Sequence, residues 1–198
     1  MSSTKLTLIQ GEKVKLPTKY GNFELIVFKE KEAKLEHIAL LKGNSKIKGD
    51  WLTRVHSACA TGDLFGSLRC DCGEQLAKSL QLIEKNGKGV LIYLMQEGRG
   101  IGLLNKIKAY KLQEAGMDTV EANVHLGYKP DERNYDIAAL ILEALNIGEI
   151  NLLTNNPDKV IKLEENGIQI KNRIPLKITP NAHNIKYFET KVLKMGHL

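Results

Sequence analysis

The chain has 198 residues, of which 42% are hydrophobic and 26% are charged, and its formal net charge is +6. This length can bury a hydrophobic core without disulfide bonds, so we expect one domain over residues 1–198. The positive charge favours an anionic partner, which is a nucleic acid, an acidic membrane surface or a phosphorylated small molecule. A run of basic residues interleaved with aromatic ones is missing, which argues against nucleic acid.

Membrane insertion and export are also disfavoured. The longest apolar stretches are far shorter than the ~20 residues of a membrane-spanning helix, and the N-terminus lacks the apolar core of a signal peptide. The three cysteines lie between positions 59 and 72. An odd number of clustered cysteines argues for metal binding or reactive thiols in a reducing compartment over a disulfide framework. We therefore expect a cytoplasmic protein with no membrane partner.

The N-terminal part is predicted to form short strands of an antiparallel or mixed sheet. Its apolar, β-rich segments are separated by Gly, Pro and Asn turns, which are typical of strands joined by tight loops. The predicted strands are 5–9, 23–28, 37–41 and 51–56.

After Gly73 the pattern changes to alternating helices and strands. Apolar residues at 76, 80 and 83 follow helical spacing, and Asn86-Gly87 is a typical helix stop. The fold class is therefore predicted as α/β, with a mixed β-sheet core, short N-terminal strands and packed helices. The later predicted elements are a buried strand at 90–95, helices at 103–115 and 135–145, and a strand at 150–153.

Cys59, Cys70 and Cys72 form the pattern C-x10-C-x-C. Turn residues between the first two can fold this segment so that three thiolates converge, and zinc is the expected ion. Three protein ligands leave a fourth position for water, which is the catalytic arrangement, whereas His56 as a fourth ligand would close a structural site. Cysteines buried as small hydrophobic residues are the remaining alternative.

Two segments that follow predicted strands are candidates for phosphate binding. The loop 96–102 precedes a helix, so backbone N–H groups and Arg99 can face an anion there. It matches neither the P-loop nor the dinucleotide-binding pattern, and a glycine-rich turn with a solvated arginine is the alternative. The segment 154–157 offers N-cap residues with proline at the first helical position, which predicts a second phosphate-binding position.

Two further groups are ambiguous by themselves. Asp131 and Arg133 lie two residues apart in a predicted loop, where such a pair is usually a helix cap or a surface ion pair. Tyr110 lies close to the apolar stripe of its helix and, taken alone, indicates an aromatic residue at the edge of the core. Their interest comes from the motifs around them.

Several ordered motifs together resemble the GTP cyclohydrolase II family of riboflavin biosynthesis. The resemblance runs from about Arg54 to the C-terminus, and the N-terminal strands fit it more loosely. The motifs are RVHS at 54–57, SLRCDCG at 67–73, QEGRGIGL at 96–103, NKI at 105–107, DTVEAN at 118–123, LLTNNP at 152–157, and TK at 190–191 with KMGH at 194–197.

The resemblance implies a zinc-dependent enzyme that opens the imidazole ring of GTP and releases formate and pyrophosphate, giving a diamino-(phosphoribosylamino)pyrimidinone. It also implies Mg²⁺ bound with the triphosphate, a homodimer, and a monofunctional form, because the dihydroxybutanone-phosphate synthase domain fused to some relatives is lacking. The implied site residues are Cys59, Cys70 and Cys72 for zinc; Tyr110, Asp131 and Arg133 for catalysis; and Arg54, Val55, His56, Ser57, Ala58, Gln75, Glu97, Gly98, Arg99, Thr119, Thr154 and Lys159 for the nucleotide.

The implied chemistry has two parts. Hydrolysis at guanine C8 needs a strong oxygen nucleophile, which zinc can supply by activating water, and Tyr110 is the candidate for moving a proton. Three thiolates give the metal more charge than imidazoles do, and this weakens the activation. Attack at the α-phosphorus is assigned to Arg133, assisted by Asp131, through a phosphorylated arginine. In the alternative, Arg133 stabilises charge while water attacks.

The remaining basic groups are expected to neutralise the phosphates, and Glu97 or Gln75 to recognise the guanine edge. The chain departs from the family pattern at Ala58, where an acidic residue is common, and at Met95, where arginine is. Each change removes a charge beside the nucleotide, so affinity is the property most affected. Two rivals remain: a zinc-stabilised nucleotide-sensing or RNA-binding module with His56 as fourth ligand, and a purine-nucleotide hydrolase that stops at the formamide or accepts another base.

Overall fold

The structure is a computed structural model that describes residues 7–44 and 49–196. Residues 5 and 6 of the first predicted strand, and His197 of the last motif, lie outside the described residues. Seven strands form one sheet. They are β1 (Leu8–Thr18), β2 (Gly21–Glu30), β3 (Glu36–Lys42), β4 (Trp51–Ser57), β5 (Gly89–Leu94), β6 (Glu149–Leu153) and β7 (Gln169–Ile174), in the spatial order β1-β2-β3-β5-β4-β6-β7.

Helices occupy most of the connections in the second half. Their ends follow local chemistry: Gly87 adopts the left-handed conformation after α2, and Asn156 caps the helix that begins with Pro157. Within the described chain, no helix combines the length and hydrophobicity needed to cross a bilayer. The helices are α1 (Ala60–Asp63), α2 (Cys72–Asn86), α3 (Gly102–Glu114), α4 (Thr119–His125), α5 (Asp136–Ala144), α6 (Pro157–Glu165) and α7 (Ile185–Met195), with a 3₁₀ turn at Glu97–Gly100.

The sheet is mixed, which confirms the predicted α/β class. β1, β2, β3 and β5 pair antiparallel, whereas β5, β4, β6 and β7 pair parallel. β1 and β2 are longer than the short strands predicted, and β1 includes Pro17. Proline is tolerated there because β1 is an edge strand and the missing N–H breaks no central ladder. Four elements, α1, α4, β7 and α7, are present without having been predicted from the sequence.

Helices cover both faces of the sheet because its strands alternate their side chains between them. Leu41 of β3 packs into the larger apolar cluster, which includes Ile141 of α5. The adjacent Leu40 packs against the smaller cluster, which includes Ile83 of α2. Burying one such side chain contributes roughly 1.5–3 kcal/mol, so the two clusters hold the helices firmly against the strands.

The parallel strands determine where the functional residues meet. β4, β5 and β6 are neighbours and run in the same direction, so the segments after their carboxyl ends share one edge of the sheet. Those segments begin at Ala58, Met95 and Thr154. In open α/β sheets this edge is the usual place for a ligand crevice.

Candidate active site

Three cysteine sulfurs converge at this edge of the sheet. Cys59 follows β4, while Cys70 and Cys72 lie just before and at the start of α2, and their Sγ atoms all lie within 4.8 Å of one another. A side chain at Gly62 would crowd them, since a Cβ atom there would lie 2.9 Å from Sγ of Cys70 and 3.2 Å from Sγ of Cys59. Glycine at this position therefore leaves the space in which the sulfurs can bind a metal ion.

The protonation of the three thiols is shared. Hydrogen bonds from Cys70 and Cys72, and from Lys106, hold the pKa of Cys59 far below its ordinary value. The same interaction with Cys59 raises the pKa of Cys70 to about 11, with burial adding to the shift. Without metal the cluster therefore favours one thiolate and two thiols, and binding a metal ion has to release the remaining protons.

His56 does not complete this cluster. Its Nε2 lies 3.1 Å and 3.2 Å from the two carboxylate oxygens of Asp63, which also accepts the backbone N–H of Cys59. Burial lowers the pKa of His56, so the ring is neutral and donates its Nε2 proton to Asp63. Within the described chain the only group of potential metal ligands is the three cysteines. The structural alternative, with His56 as fourth ligand, is therefore not supported.

The cysteines line a cavity whose walls carry more cationic than anionic side chains. Its walls come from the ends of β4, β5 and β6 and from α3. A surplus of cationic side chains around a cavity favours an anionic ligand. The cationic side chains that line it are Arg54, Arg69, Arg99, Lys106, Arg133 and Lys159, and the carboxylates are Asp71 and Glu97.

Nearly all of the residues predicted for the site meet at this cavity. Val55 does not line it, because its side chain is fully buried in the core and its carbonyl accepts the Lys159 ammonium at 2.7 Å. Asp131 does not line it either and lies beside Arg133, while Met95 is half-exposed outside it. The predicted residues that do line it are Arg54, His56, Ser57, Ala58, Cys59, Cys70, Cys72, Gln75, Glu97, Gly98, Arg99, Tyr110, Thr119, Arg133, Thr154 and Lys159.

The glycine-rich loop is organised around the carboxylate of Glu97. That carboxylate accepts the backbone N–H groups of Ala60 and Gly98, the latter at 2.7 Å, and the ammonium of Lys106 at 2.8 Å. The N–H of Gly98 is thus engaged within the loop and is not free for a phosphate. Arg99 adopts a left-handed backbone with φ of 59°, which is uncommon for a residue with a Cβ. Its guanidinium reaches the hydroxyl of Thr119 at 3.4 Å.

A hydrogen-bonded chain connects the cysteine loop to the basic wall. Arg54 donates to the amide oxygen of Gln75 and to the carbonyl of Leu153, and Gln75 in turn donates to Asp71, which lies between two of the cysteines. Gln75 is therefore engaged at both ends of its amide. The Nε of Arg54 is buried and has no hydrogen-bond partner in the described part of the protein, so one donor of this arginine is left for a ligand.

Asp131 and Arg133 form a paired, largely buried contact. Nε of Arg133 donates to both carboxylate oxygens at 2.9 Å and 3.1 Å, and Nη2 donates to one of them. Burial favours neutral forms of both groups, but Arg133 lowers the pKa of Asp131 overall. Burial likewise opposes the charge on Arg133, yet Tyr135 and Asp131 raise its pKa above the ordinary value. Arg133 is thus a persistent cation at the cavity wall.

Tyr110 reaches the cysteine loop from α3. Its hydroxyl lies 3.3 Å from that of Thr61, and the guanidinium of Arg69 lies over its ring, 4.2 Å from the centroid. Burial raises the pKa of Tyr110, so the hydroxyl carries its proton at neutral pH. The structure therefore brings a proton-bearing hydroxyl to the cavity next to the sulfurs.

Sequence reasoning missed several side chains that line the cavity. Lys106 lies four residues before Tyr110, so helical spacing alone places both on one face of α3, and that signal was available. Tyr187 of α7 also lines the cavity, but no local pattern connects this C-terminal helix to the site. Arg69 had a signal too, because it precedes Cys70 directly.

A cysteine cluster able to bind a metal, beside a cavity rich in cationic side chains at the carboxyl edge of a mixed sheet, is typical of a protein that binds a metal ion and an anionic ligand. The model of GTP cyclohydrolase II matches residues 10–175, and this chain belongs to the GTP cyclohydrolase II family. The match covers both the antiparallel and the parallel parts of the sheet.

Similar curated proteins are of two kinds. The riboflavin biosynthesis protein RibBA of Phocaeicola vulgatus is 56% identical over 188 residues, which are 95% of this chain and 46% of that protein. RibBA of Chlorobium phaeovibrioides is 56% identical over 183 residues, which are 92% of this chain and 45% of that protein. GTP cyclohydrolase-2 of Haemophilus influenzae is 50% identical over 183 residues, with coverages of 92% and 85%. The chain thus spans about half the length of the RibBA relatives it matches.

A more distant likeness is to a solved structure described as RibBX, a two domain 3,4-dihydroxy-2-butanone 4-phosphate synthase from A. baumannii. It aligns with a TM-score of 0.40 and 22% identity over 76% of this chain and 35% of that one. A likeness at this level carries no weight for the fold or the function.

Proposed function

We propose that this chain hydrolyses GTP at C8 of guanine and at the α-phosphorus, releasing formate and pyrophosphate in the first step of riboflavin biosynthesis. The observation that carries the proposal is the meeting of a three-cysteine cluster, the Tyr110 hydroxyl and the Arg133 guanidinium at one cationic cavity. Membership of the GTP cyclohydrolase II family supports the choice of substrate.

Zinc is the proposed metal, held by Cys59, Cys70 and Cys72. The fit rests on three convergent sulfurs, on the space that Gly62 leaves beside them, and on the engagement of His56 with Asp63, which leaves a fourth ligand position open. Zinc bound there would supply a Lewis acid that activates water for hydrolysis of the ring carbon.

Tyr110 is the proposed proton-handling residue for the ring-opening step. Its hydroxyl is protonated and is held close to the cysteine loop by the contact with Thr61. A protonated phenol there can give a proton to a ring nitrogen as its bond to C8 breaks. The stacking of Arg69 on the ring holds the phenol in place.

Arg133 is proposed to stabilise charge at the α-phosphoryl group. A guanidinium attacks phosphorus only after losing a proton, and the paired contact with Asp131 instead stabilises the charged form. We therefore favour charge stabilisation, with water as the nucleophile, over a phosphorylated arginine. Mg²⁺ is proposed to accompany the triphosphate, since phosphate oxygens are its preferred ligands.

The remaining proposed nucleotide contacts divide between the two ends of GTP. Arg54 has a buried donor without a partner in the described part of the protein, and Lys159 is buried and lines the same cavity, so both suit phosphate oxygens. The side-chain hydrogen bonds of Glu97 and Gln75 are mostly made within the protein. We therefore assign both residues to positioning the loops, in addition to any contact with guanine. Other proposed contacts are His56, Ser57, Ala58, Gly98, Arg99, Thr119 and Thr154, with Val55 acting through its backbone.

Wider properties follow as parts of the same proposal. We propose one domain for residues 1–198, a homodimer as the working form, and no nucleic-acid partner. Three free cysteines favour a reducing compartment such as the cytoplasm. The dimer is supported by the exposed apolar side chains Leu64, Phe65 and Leu68 beside the cysteine loop, which a partner surface would cover.

The test is to incubate the purified, zinc-replete protein with GTP and Mg²⁺ and to assay formate and pyrophosphate. We expect both products, about one zinc per chain by elemental analysis, and no formate from Cys70→Ser. Full activity in metal-free protein would overturn the zinc assignment. Pyrophosphate without formate would indicate a nucleotide hydrolase that leaves the ring intact, and formamide-bearing product alone would indicate the rival that stops halfway.

A further inference from the structure

Lys106 is a buried cation at the metal site that the proposed reaction does not yet use. Its residue is 9% exposed, and its Nζ lies 3.1 Å from Sγ of Cys59 and 2.8 Å from Oε1 of Glu97. Burying an ammonium costs several kcal/mol unless anions compensate for the lost water. Lys106 therefore occupies this position because two negative groups face it.

Glu97 alone does not explain where the ammonium lies. The Glu97 carboxylate also accepts the backbone N–H groups of Ala60 and Gly98, so it has hydrogen-bond donors other than the lysine. A lysine that served only as a counter-ion for this carboxylate could lie on either side of it. Instead, the ammonium lies between the carboxylate and a sulfur that would bind metal, within hydrogen-bond distance of both.

The contact between Lys106 and Cys59 would affect a bound metal through the charge of the cluster. Three thiolates and one divalent ion carry a net charge of about −1, and electron donation from three sulfurs makes the metal a weaker Lewis acid than an imidazole site would. A cation that donates a hydrogen bond to one sulfur reduces the electron density that this sulfur gives to the metal. Partners of metal ligands commonly tune the metal in this way.

We propose that Lys106 is a positioning residue for the metal centre, whose ammonium donates a hydrogen bond to the Cys59 thiolate and so restores the electrophilicity that three thiolates remove. This inference rests on the proposed metal site and deepens it. The hydrogen bonds of the Lys106 ammonium go to Cys59 and Glu97, so we expect its loss to slow the chemical step more than it weakens binding of the nucleotide.

Cobalt substitution reads the contact directly, independently of turnover. Co²⁺ replaces zinc in the full-length wild-type protein and in Lys106→Met, Lys106→Gln and Lys106→Arg, and the sulfur-to-cobalt charge-transfer absorption is recorded. A hydrogen bond lowers the energy of the sulfur lone pair, so we expect the band to move to longer wavelength in Lys106→Met and by less in Lys106→Gln. Lys106→Arg keeps a charged donor and should keep the band near the wild-type position.

Lys111→Met is the matched control, because Lys111 is on the same helix, is 84% exposed at the side chain and pairs with Glu114 at the surface. It should leave the band unchanged. With zinc bound, we expect kcat for formate release to fall about 10- to 100-fold in Lys106→Met, with KM for GTP nearly unchanged and partial rescue in Lys106→Arg.

Cobalt spectra also separate this inference from the proposed function. The variants that count here are those of Lys106→Met and Lys106→Gln that fold and bind Co²⁺. If none of them shifts the band, Lys106 does not act on the metal, and the inference fails while the metal site stands. If wild-type protein gives no sulfur-to-cobalt band at all, the metal site and the inference fall together. A rise in KM with an unchanged kcat would make Lys106 a substrate-binding residue and would also overturn the proposal.

Discussion

The hydroxyl of Tyr110 lies 3.3 Å from the hydroxyl of Thr61. Thr61 belongs to the short helix that follows Cys59, and its Oγ1 lies 3.6 Å from the Cys59 sulfur. A residue of α3 is thereby connected to the loop that carries the three cysteines, although the two are far apart in the chain. This contact holds the Tyr110 hydroxyl beside the cysteine loop.

Tyr110→Phe should slow ring opening while the protein still folds and binds metal. The substitution keeps the ring on which Arg69 stacks and removes only the hydroxyl that contacts Thr61. Since general acid–base groups contribute about 10² to 10⁴ in rate, we expect formate release to fall by a factor in that range. Single-turnover assays of formate and of pyrophosphate, run in parallel, measure the two steps separately.

Tyr128→Phe is the control for loss of a tyrosine hydroxyl. The Tyr128 hydroxyl bonds to Asn105 at 2.8 Å and does not line the cavity, so this variant should release formate at the wild-type rate. Formate release at the wild-type rate in Tyr110→Phe as well would make Tyr110 an aromatic packing residue with no part in the chemistry.

Gly62→Ala should weaken metal binding. A Cβ atom at this position would lie 2.9 Å from the Cys70 sulfur, closer than such contacts allow, so the sulfurs would have to separate. We expect the affinity for zinc to fall roughly 10-fold or more, by analogy with the loss of groups that support metal ligands. Competition against a chromophoric chelator measures it.

Gly148→Ala is the matched control, because a Cβ there meets nothing within 4 Å. It should bind zinc like the wild-type protein. Equal zinc affinity in Gly62→Ala and Gly148→Ala would show that the space beside the sulfurs is not needed for the metal.

Arg133→Ala should lose pyrophosphate release, and Arg133→Lys should restore little of it. The guanidinium holds Asp131 through its Nε and Nη2 at once, a geometry that an ammonium does not reproduce. Removing one charge-stabilising donor typically costs about 10² to 10³ in rate, and we expect a loss of that size. Arg173→Ala on β7, which removes an exposed arginine, should have no effect.

Rapid-quench experiments with α-labelled GTP distinguish the two roles of Arg133. Charge stabilisation leaves no labelled protein at any time, whereas a phosphorylated arginine would carry the label transiently. Detection of label on the protein, lost in Arg133→Ala, would contradict our choice of water as the nucleophile. Unchanged turnover in Arg133→Ala would exclude both roles.

The acid stability of the protein should depend on Asp131. Arg133 holds the folded-state pKa of Asp131 below its ordinary value despite burial. The stability this gives is therefore fully present above the unfolded-state pKa of about 3.9 and is lost as the pH falls through the lower, folded-state pKa. Asp131→Asn should flatten the acid limb of unfolding free energy against pH, measured by urea titrations from neutral pH downwards.

Asp50→Asn is the comparison for this acid effect. The pKa of Asp50 is also lowered, chiefly by its hydrogen bond to Lys171, but both side chains are exposed, so solvent and salt screen the pair. We expect a small change that high salt abolishes, while the Asp131 effect persists. An acid limb in Asp131→Asn that superimposes on the wild-type curve would mean that Arg133 and Asp131 are not paired in solution.

Local signals in the sequence were enough for many of the helices and strands, though not for α1, α4, β7 or α7, and for the convergence of the three cysteines. The helix stop at Gly87 and the cap at Asn156 act within one turn of the backbone, so neighbouring residues determine them. The pairing of Asp131 with Arg133 is equally local, since the partners are two positions apart in the chain. The length of β1 could not be predicted from the sequence, because Pro17 can belong to a strand only if that strand lies at a sheet edge.

Only the tertiary structure decided which of these groups act together. Lys106 meets Cys59 across 47 residues, and Arg54 meets Gln75 across 21, because the order of the parallel strands brings their carboxyl ends to one edge. The tertiary structure also places His56 against Asp63, so His56 does not join the three sulfurs. Spacing along a chain limits which side chains can share one helix face or turn, but contacts between distant segments depend on how the sheet packs its helices.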